Sequence, residues 1–340
     1  MRSRIAICLG GLALVCLALA SGTTAQNGDI PRTPSGRPDL SGTYDVATLT
    51  PMERPTELGE KMALSEEEAA EIAEGALRRN ERRNRPSDPN RGAPEAGGSV
   101  GGYNGVYFDN GDDAFQIDGQ WRTSILIDPP NGRYPPRVDG SDGVRSRTPN
   151  PGTAFWLEAG LDAPGPYDNM EQRPYAERCL LSFGSTSGPP MLPALYNNHK
   201  RIVQGEDTVV ILVEMVHDAR IVRMNAEHAP PEIQKGLGDS IGWWEDDTLV
   251  VEATNFLTSP GVAREGLRVV ERFSPIDDKG LLYQFEVEDP DYEASYSGEL
   301  LWPRTDQRSY EYACHEGNYA MGNTLRGARL LEKEWAEKQA

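Results

Sequence analysis

The chain has 340 residues and a formal charge of −19, long enough for one large all-β unit or two ordinary domains with a sizeable core. The acidity has no compensating basic block, so nucleic acid and anionic membrane surfaces are disfavoured as partners, both being negative. Zinc-protease, Cys-x-x-Cys, Gly-x-Ser-x-Gly, phosphate-loop and dinucleotide fingerprints are all missing, so the reading is action or binding with neither cofactor nor metal.

Residues 1–25 read as a secretory leader: Arg2 and Arg4 supply the basic start, residues 5–20 an apolar run, and Ala20 or Ala25 a cleavage point. The run is short for a membrane span, and no later segment is long and apolar enough to be one. Cys16 follows Val15, where a lipoprotein would need a small residue. Loss of the two arginines takes the charge from −19 to −21. The expected product is soluble and periplasmic or secreted. Cys8 and Cys16 leave with the leader, and Cys179 and Cys314 are expected to pair in an oxidising compartment.

After the leader, residues 26–101 read as an opening strand around Gly42-Thr43-Tyr44, a helix and a Pro/Gly-rich linker. Residues 102–340 read as a β-barrel-like domain. The helix is placed at residues 65–85, with Ser65 as N-cap, Glu67 and Glu68 in the first turn, arginines towards the end and Pro86 as the stop. A strand follows at 122–128, closed by Pro129-Pro130-Asn131-Gly132, and a loop-rich span covers 135–174. Further strands are predicted at 179–183, 208–224, 248–256, 267–273, 281–288 and 299–302, and a short helix at 325–338. Short connections imply an antiparallel meander, closed into a barrel or a strongly curved sheet.

Alternation along a strand asks which polar side chains point inward. If residues 208–224 are one strand, Val209, Ile211, Val213, Met215, His217, Ala219 and Ile221 share a face on which His217 is the polar member. The run at Leu267 places Glu271 on its apolar face, and the next run aligns Leu281, Tyr283, Phe285 and Val287. An inward His217 and Glu271 suit acid–base work, because burial moves a carboxyl up and an imidazole down towards neutral pH. The competing reading is that a tyrosine or a backbone group satisfies each of them. Glu214, Asp218 and Arg220 fall on the opposite face as a carboxylate–guanidinium group, and the Cys179–Cys314 link would fix His315 and Glu316. His199 and His228 fall in loops without an obvious partner.

The segments RTSILIDPPNGRYPP, RIVQGEDTVVILVEMVHDARIV, GDSIGWWEDDTLVVEATNF and YEYACHEGNY resemble a large family of exported, mostly uncharacterised proteins from soil and marine bacteria, across roughly residues 102–329. The resemblance implies export and no particular reaction; Asp246 stands where that pattern has Gly. Gly42-Thr43-Tyr44 is similar, with Tyr for Trp, to the Gly-x-Trp opening of lipocalin-type barrels, a likeness of fold that carries no function.

The expectation is an exported enzyme acting on a small, largely apolar or aromatic molecule by acid–base elimination, isomerisation or hydrolysis. In it His217 and Glu271 exchange the proton, Asp218 and Arg220 position the substrate, and Trp244, Tyr283, Glu214, His315 and Glu316 line or border the pocket. The alternatives are a lipocalin-like carrier of the same ligand and a structural or partner-binding protein.

Overall fold

The computed structural model describes residues 30–86, 88–90, 92, 108–139, 154–158, 160, 165–182, 186–257 and 265–340; the leader and most of the linker lie outside the described residues. The strands are β1 (Gly42–Asp45), β2 (Ala63–Leu64), β3 (Gln116–Ile117), β4 (Gln120–Arg122), β5 (Leu126–Asp128), β6 (His199–Gln204) and β7 (Thr208–Val213). They continue with β8 (Ala219–Met224), β9 (Asp239–Glu245), β10 (Thr248–Thr254), β11 (Arg268–Asp277), β12 (Gly280–Glu288) and β13 (Tyr296–Pro303). Ten of them form one sheet in the order β1-β6-β7-β8-β9-β10-β11-β12-β13-β5, and β2-β4-β3 form a small second sheet.

The large sheet curls into a half-barrel, the strongly curved sheet of the two expected forms. Its ends approach where the Thr305 amide donates to Thr43 O at 2.9 Å and Arg304 Nη1 donates to Ser41 O at 2.6 Å. The opening strand therefore lies in the same sheet as the strands after residue 102. Its aromatic faces inward as expected: Tyr44 is fully buried, and its ring centroid lies 6.1 Å from that of Trp302. Trp302 also packs on Phe273 and Tyr283, at 5.4 and 4.8 Å between centroids. Rings at these spacings contribute beyond their simple burial.

β6 to β13 follow one another as a meander, with β1 and β5 added at its two edges, and one pair within it departs from the antiparallel pattern. β8 and β9 pair in parallel, with Val222 opposite Ser240 and Met224 opposite Gly242, so residues 225–238 must return the chain to the end it started from. That connection is pinned on Asp239, which accepts from the Ala229 amide (2.9 Å), Lys235 Nζ (2.7 Å) and Arg223 Nη2 (2.7 Å). His228, expected in a loop without partners, lies between two carboxylates, with Nδ1 3.2 Å from Asp239 and Nε2 3.0 Å from Glu252.

Helix α1 (Glu66–Arg83) starts as its sequence dictates: Ser65 Oγ accepts from the Glu68 amide while the Glu68 carboxylate accepts from the Ser65 amide. A four-residue helix α2 (Phe155–Glu158) follows, and the closing helix α3 (Tyr319–Gln339) begins six residues before the expected start, so it is not short. Asn318 caps it, its side chain accepting from the Met321 amide. Two other expectations fail locally. Residues 179–182 form turns, with Cys179 at positive φ, and the expected strand at 122–128 divides into β4 and β5. At the β9–β10 turn, Asp246 adopts φ 51°, the left-handed conformation for which the resemblance expects Gly.

Cys179 and Cys314 form the expected disulfide, joining residues 135 positions apart. On the chain-entropy account, closing so long a loop stabilises the fold by up to about 5 kcal/mol. The paired Cys179→Ser and Cys314→Ser variant should lower the unfolding free energy by up to that amount, read from urea midpoints. An unchanged midpoint would show that the link carries no stability.

Candidate functional site

A turn at Glu214–Asp218 decides the geometry. The run 208–224 is a hairpin, β7 and β8 joined through a tight 3-10 turn at Met215–His217, and it is far longer than an ordinary strand. Val216 and His217 take φ 57° and 47°, which resets the alternation between the two arms. Ala219 and Ile221 consequently face solvent, Ile221 being 61% exposed, while Arg220, Val222 and Met224 point inward. The inward His217 of the single-strand reading is corrected: the side chain is exposed at the tip of the turn.

Glu271 is buried as expected, with a different partner. Its Oε1 accepts from Arg220 Nη1 (2.9 Å) and from the Tyr283 hydroxyl (2.6 Å), and its Oε2 accepts from Arg220 Nη2 (2.6 Å). Tyr283 in turn accepts from the Met191 amide at 2.8 Å. Burial and the adjacent Glu271 carboxylate raise the Tyr283 hydroxyl well above its usual range. For Arg220, burial acts downward but the contact with Glu271 outweighs it, so the guanidinium stays charged. The set is an ion pair in the core, and the Tyr283 hydroxyl donates to it.

The remaining expected residues separate. Asp218 is buried, its Oδ2 accepting from the Ser182 amide (2.9 Å) and from the Ser187 hydroxyl; burial raises its carboxyl despite those bonds. Glu214 accepts from the Tyr310 amide at 2.7 Å and lies 3.6 Å from His199 Nδ1. Burial pushes Glu214 up, but His199 and the Tyr310 amide together hold it below the ordinary carboxylate range, and Glu214 in turn raises His199. Trp244 borders a separate polar groove of about 410 Å³ with Arg37, Gln204 and Asn225. His315 and Glu316 are exposed beside the disulfide.

An apolar cavity of about 680 Å³ opens at the end of the half-barrel where β7 turns into β8, lined by Met52, Ile125, Tyr134, Leu192, Tyr196 and Met215, with Thr50 and Thr186 as its small polar groups. No charged residue lines it among the described residues. Immediately behind it is Lys200, which sequence reading passed over. Lys200 shares the inner face of β6 with Ile202, opposite Val213 on one side and Tyr44 on the other, and is 0% exposed. Its Nζ donates to the carbonyl of Thr186, a cavity residue, at 2.7 Å. Alternation from Ile202 was the available signal, since it places Lys200 inward. Among the described residues, no group of histidine, cysteine or carboxylate side chains is arranged to hold a metal ion, and no helix is long and apolar enough to cross a membrane.

Burial lowers the Lys200 ammonium to about 7, against the pull of Glu214, Asp218 and Asp45. A lysine depressed in the folded state binds fewer protons there than in the unfolded chain, between its folded value and the ordinary lysine value. Stability should therefore climb as pH rises from about 7 towards about 10, and Lys200→Met should remove the climb, both read from urea midpoints across that range. A wild-type curve that is flat there would contradict the burial of a titrating amine.

Two substitutions separate the ion pair from the turn. Glu271→Gln leaves Arg220 buried without a counter-charge and should cost about 3–5 kcal/mol, most of it recovered when Arg220→Met is combined with Glu271→Leu. His217→Gly, at an exposed left-handed position, should change stability by no more than about 1 kcal/mol. Calorimetric unfolding of the four proteins measures both effects.

Comparison of the chain with protein-family models, curated proteins and solved structures found no match in any of the three.

Proposed function

We propose that this protein takes an uncharged, largely apolar small molecule into the cavity at the β7–β8 end of the half-barrel, and acts on it by proton exchange through Lys200. The cavity carries the reading. At about 680 Å³ it has the size of a small-ligand site, and its wall is apolar, with a few hydroxyl groups to orient a guest. A charged ligand would lose its hydration there without gaining a counter-ion from the wall. The amine supports turnover, because a group near neutrality can both give and take a proton at ordinary pH.

Export belongs to the same proposal. It is supported by the Cys179–Cys314 disulfide, the leader-like start of the sequence and the resemblance to exported bacterial proteins. A carrier that holds the same ligand without changing it is the second reading, favoured by the enclosure of the Lys200 amine behind Thr186.

Titration calorimetry with toluene, cyclohexanol and benzoate tests the site. Saturable uptake of the two neutral compounds, weakened at least about tenfold by Ala194→Trp, is expected, with little for benzoate. Absence of saturable uptake, or uptake indifferent to Ala194→Trp, would overturn the proposal.

A further inference from the structure

We infer that Lys200 is a covalent amine, forming an imine with an aldehyde or ketone whose apolar body occupies the cavity. The inference rests on the cavity reading and narrows its ligand class to carbonyl compounds.

The placement of Lys200 is what carries it. Fully buried lysines are rare and are ordinarily held by a carboxylate. Here the hydrogen bond that Nζ makes is to a neutral carbonyl, that of Thr186, and no carboxylate lies within 4 Å of it among the described residues. The carboxylates that influence it through space are engaged elsewhere. Asp218 is held by the Ser182 amide and the Ser187 hydroxyl, Glu214 by the Tyr310 amide and His199, and Asp45 by the Ala47 amide. Opposite on β1, the Tyr44 hydroxyl donates away from it to Leu40 O at 2.7 Å. The amine is thus committed to no ion pair and is tethered by one exchangeable bond to a residue of the cavity wall. Thr186, whose carbonyl accepts from Nζ, itself lines the cavity, which places the amine next to its wall.

The step balances without another reactant. The Nζ lone pair attacks the carbonyl carbon, the C–O π bond opens, and both amine protons leave with that oxygen as water, so that a C=N bond replaces C=O. The site suits this chemistry, because the neutral amine is the nucleophile and desolvation favours it. Once formed, a protonated imine withdraws electrons from the neighbouring carbon. That effect would serve an elimination or isomerisation next to the former carbonyl.

The full chain is incubated at about pH 7 with benzaldehyde or heptanal and sodium cyanoborohydride, and adducts are mapped by peptide mass spectrometry. Toluene uptake is measured in parallel on the wild type and on Lys200→Met. The expected result is an adduct on Lys200 at least about tenfold above any on the exposed Lys61, Lys235, Lys279, Lys333 and Lys338. Lys200→Met should lose the adduct and still take up toluene. Toluene uptake with adducts confined to the exposed lysines would overturn the imine and leave the cavity standing. No toluene uptake together with no Lys200 adduct would overturn both.

Discussion

The half-barrel depends on how its curled sheet disposes of charge on its inner face. An apolar interior of Val, Leu, Ile and aromatic side chains surrounds the basic residues Arg220 and Lys200, neither of which reaches solvent. Arg220 is answered in full by a bidentate contact with Glu271, reinforced by Tyr283. Breaking such a pair is strongly destabilising, even though the pair itself gains little over an apolar core. Among the described residues, Lys200 is answered by one backbone carbonyl, that of Thr186. The first arrangement closes on itself in the core, and the second leaves a buried amine held by the carbonyl of a cavity residue.

That difference links packing to function. Trp302, Phe273, Tyr283 and Tyr44 pack their rings together in the middle of the half-barrel, where Glu271 is fully buried. Towards the β7–β8 end the sheet is covered by loops, from Thr50 and Met52, from Tyr134, and from Leu192 to Tyr196, which leave an apolar space between them. The hairpin turn at Met215 forms part of its wall, and Ser182 and Ser187 are each hydrogen-bonded to Asp218. A buried carboxylate that sequence reading assigned to substrate positioning thereby holds Ser187, whose neighbour Thr186 accepts from the lysine.

The sheet was largely legible because Val, Ile and Thr runs broken by acidic turns alternate with period two, and β10 to β13 fall where that pattern puts them. The helix start at Ser65 and the disulfide were legible for similar local reasons. The site was not. One unrecognised reversal between Glu214 and Asp218 shifted the face of every following residue, turning Arg220 inward and His217 outward. Charges in the middle of an overlong apolar run were the warning. Parity located Glu271 correctly, but no rule of alternation names a partner across four strands, and the Arg220–Glu271 contact arises only when the sheet curls. Lys200 lay outside the runs read as strand, eight residues before Thr208, and the parallel β8–β9 pair, with its long return through His228, has no signature in local spacing.

The most direct measurement is a crystal structure of the protein soaked with bromobenzene, with anomalous diffraction used to locate the bromine. The account predicts an anomalous peak between Tyr134, Leu192 and Met215, with Lys200 in the wall behind it. Side chains filling that space, or bromine found only at the surface, would contradict it.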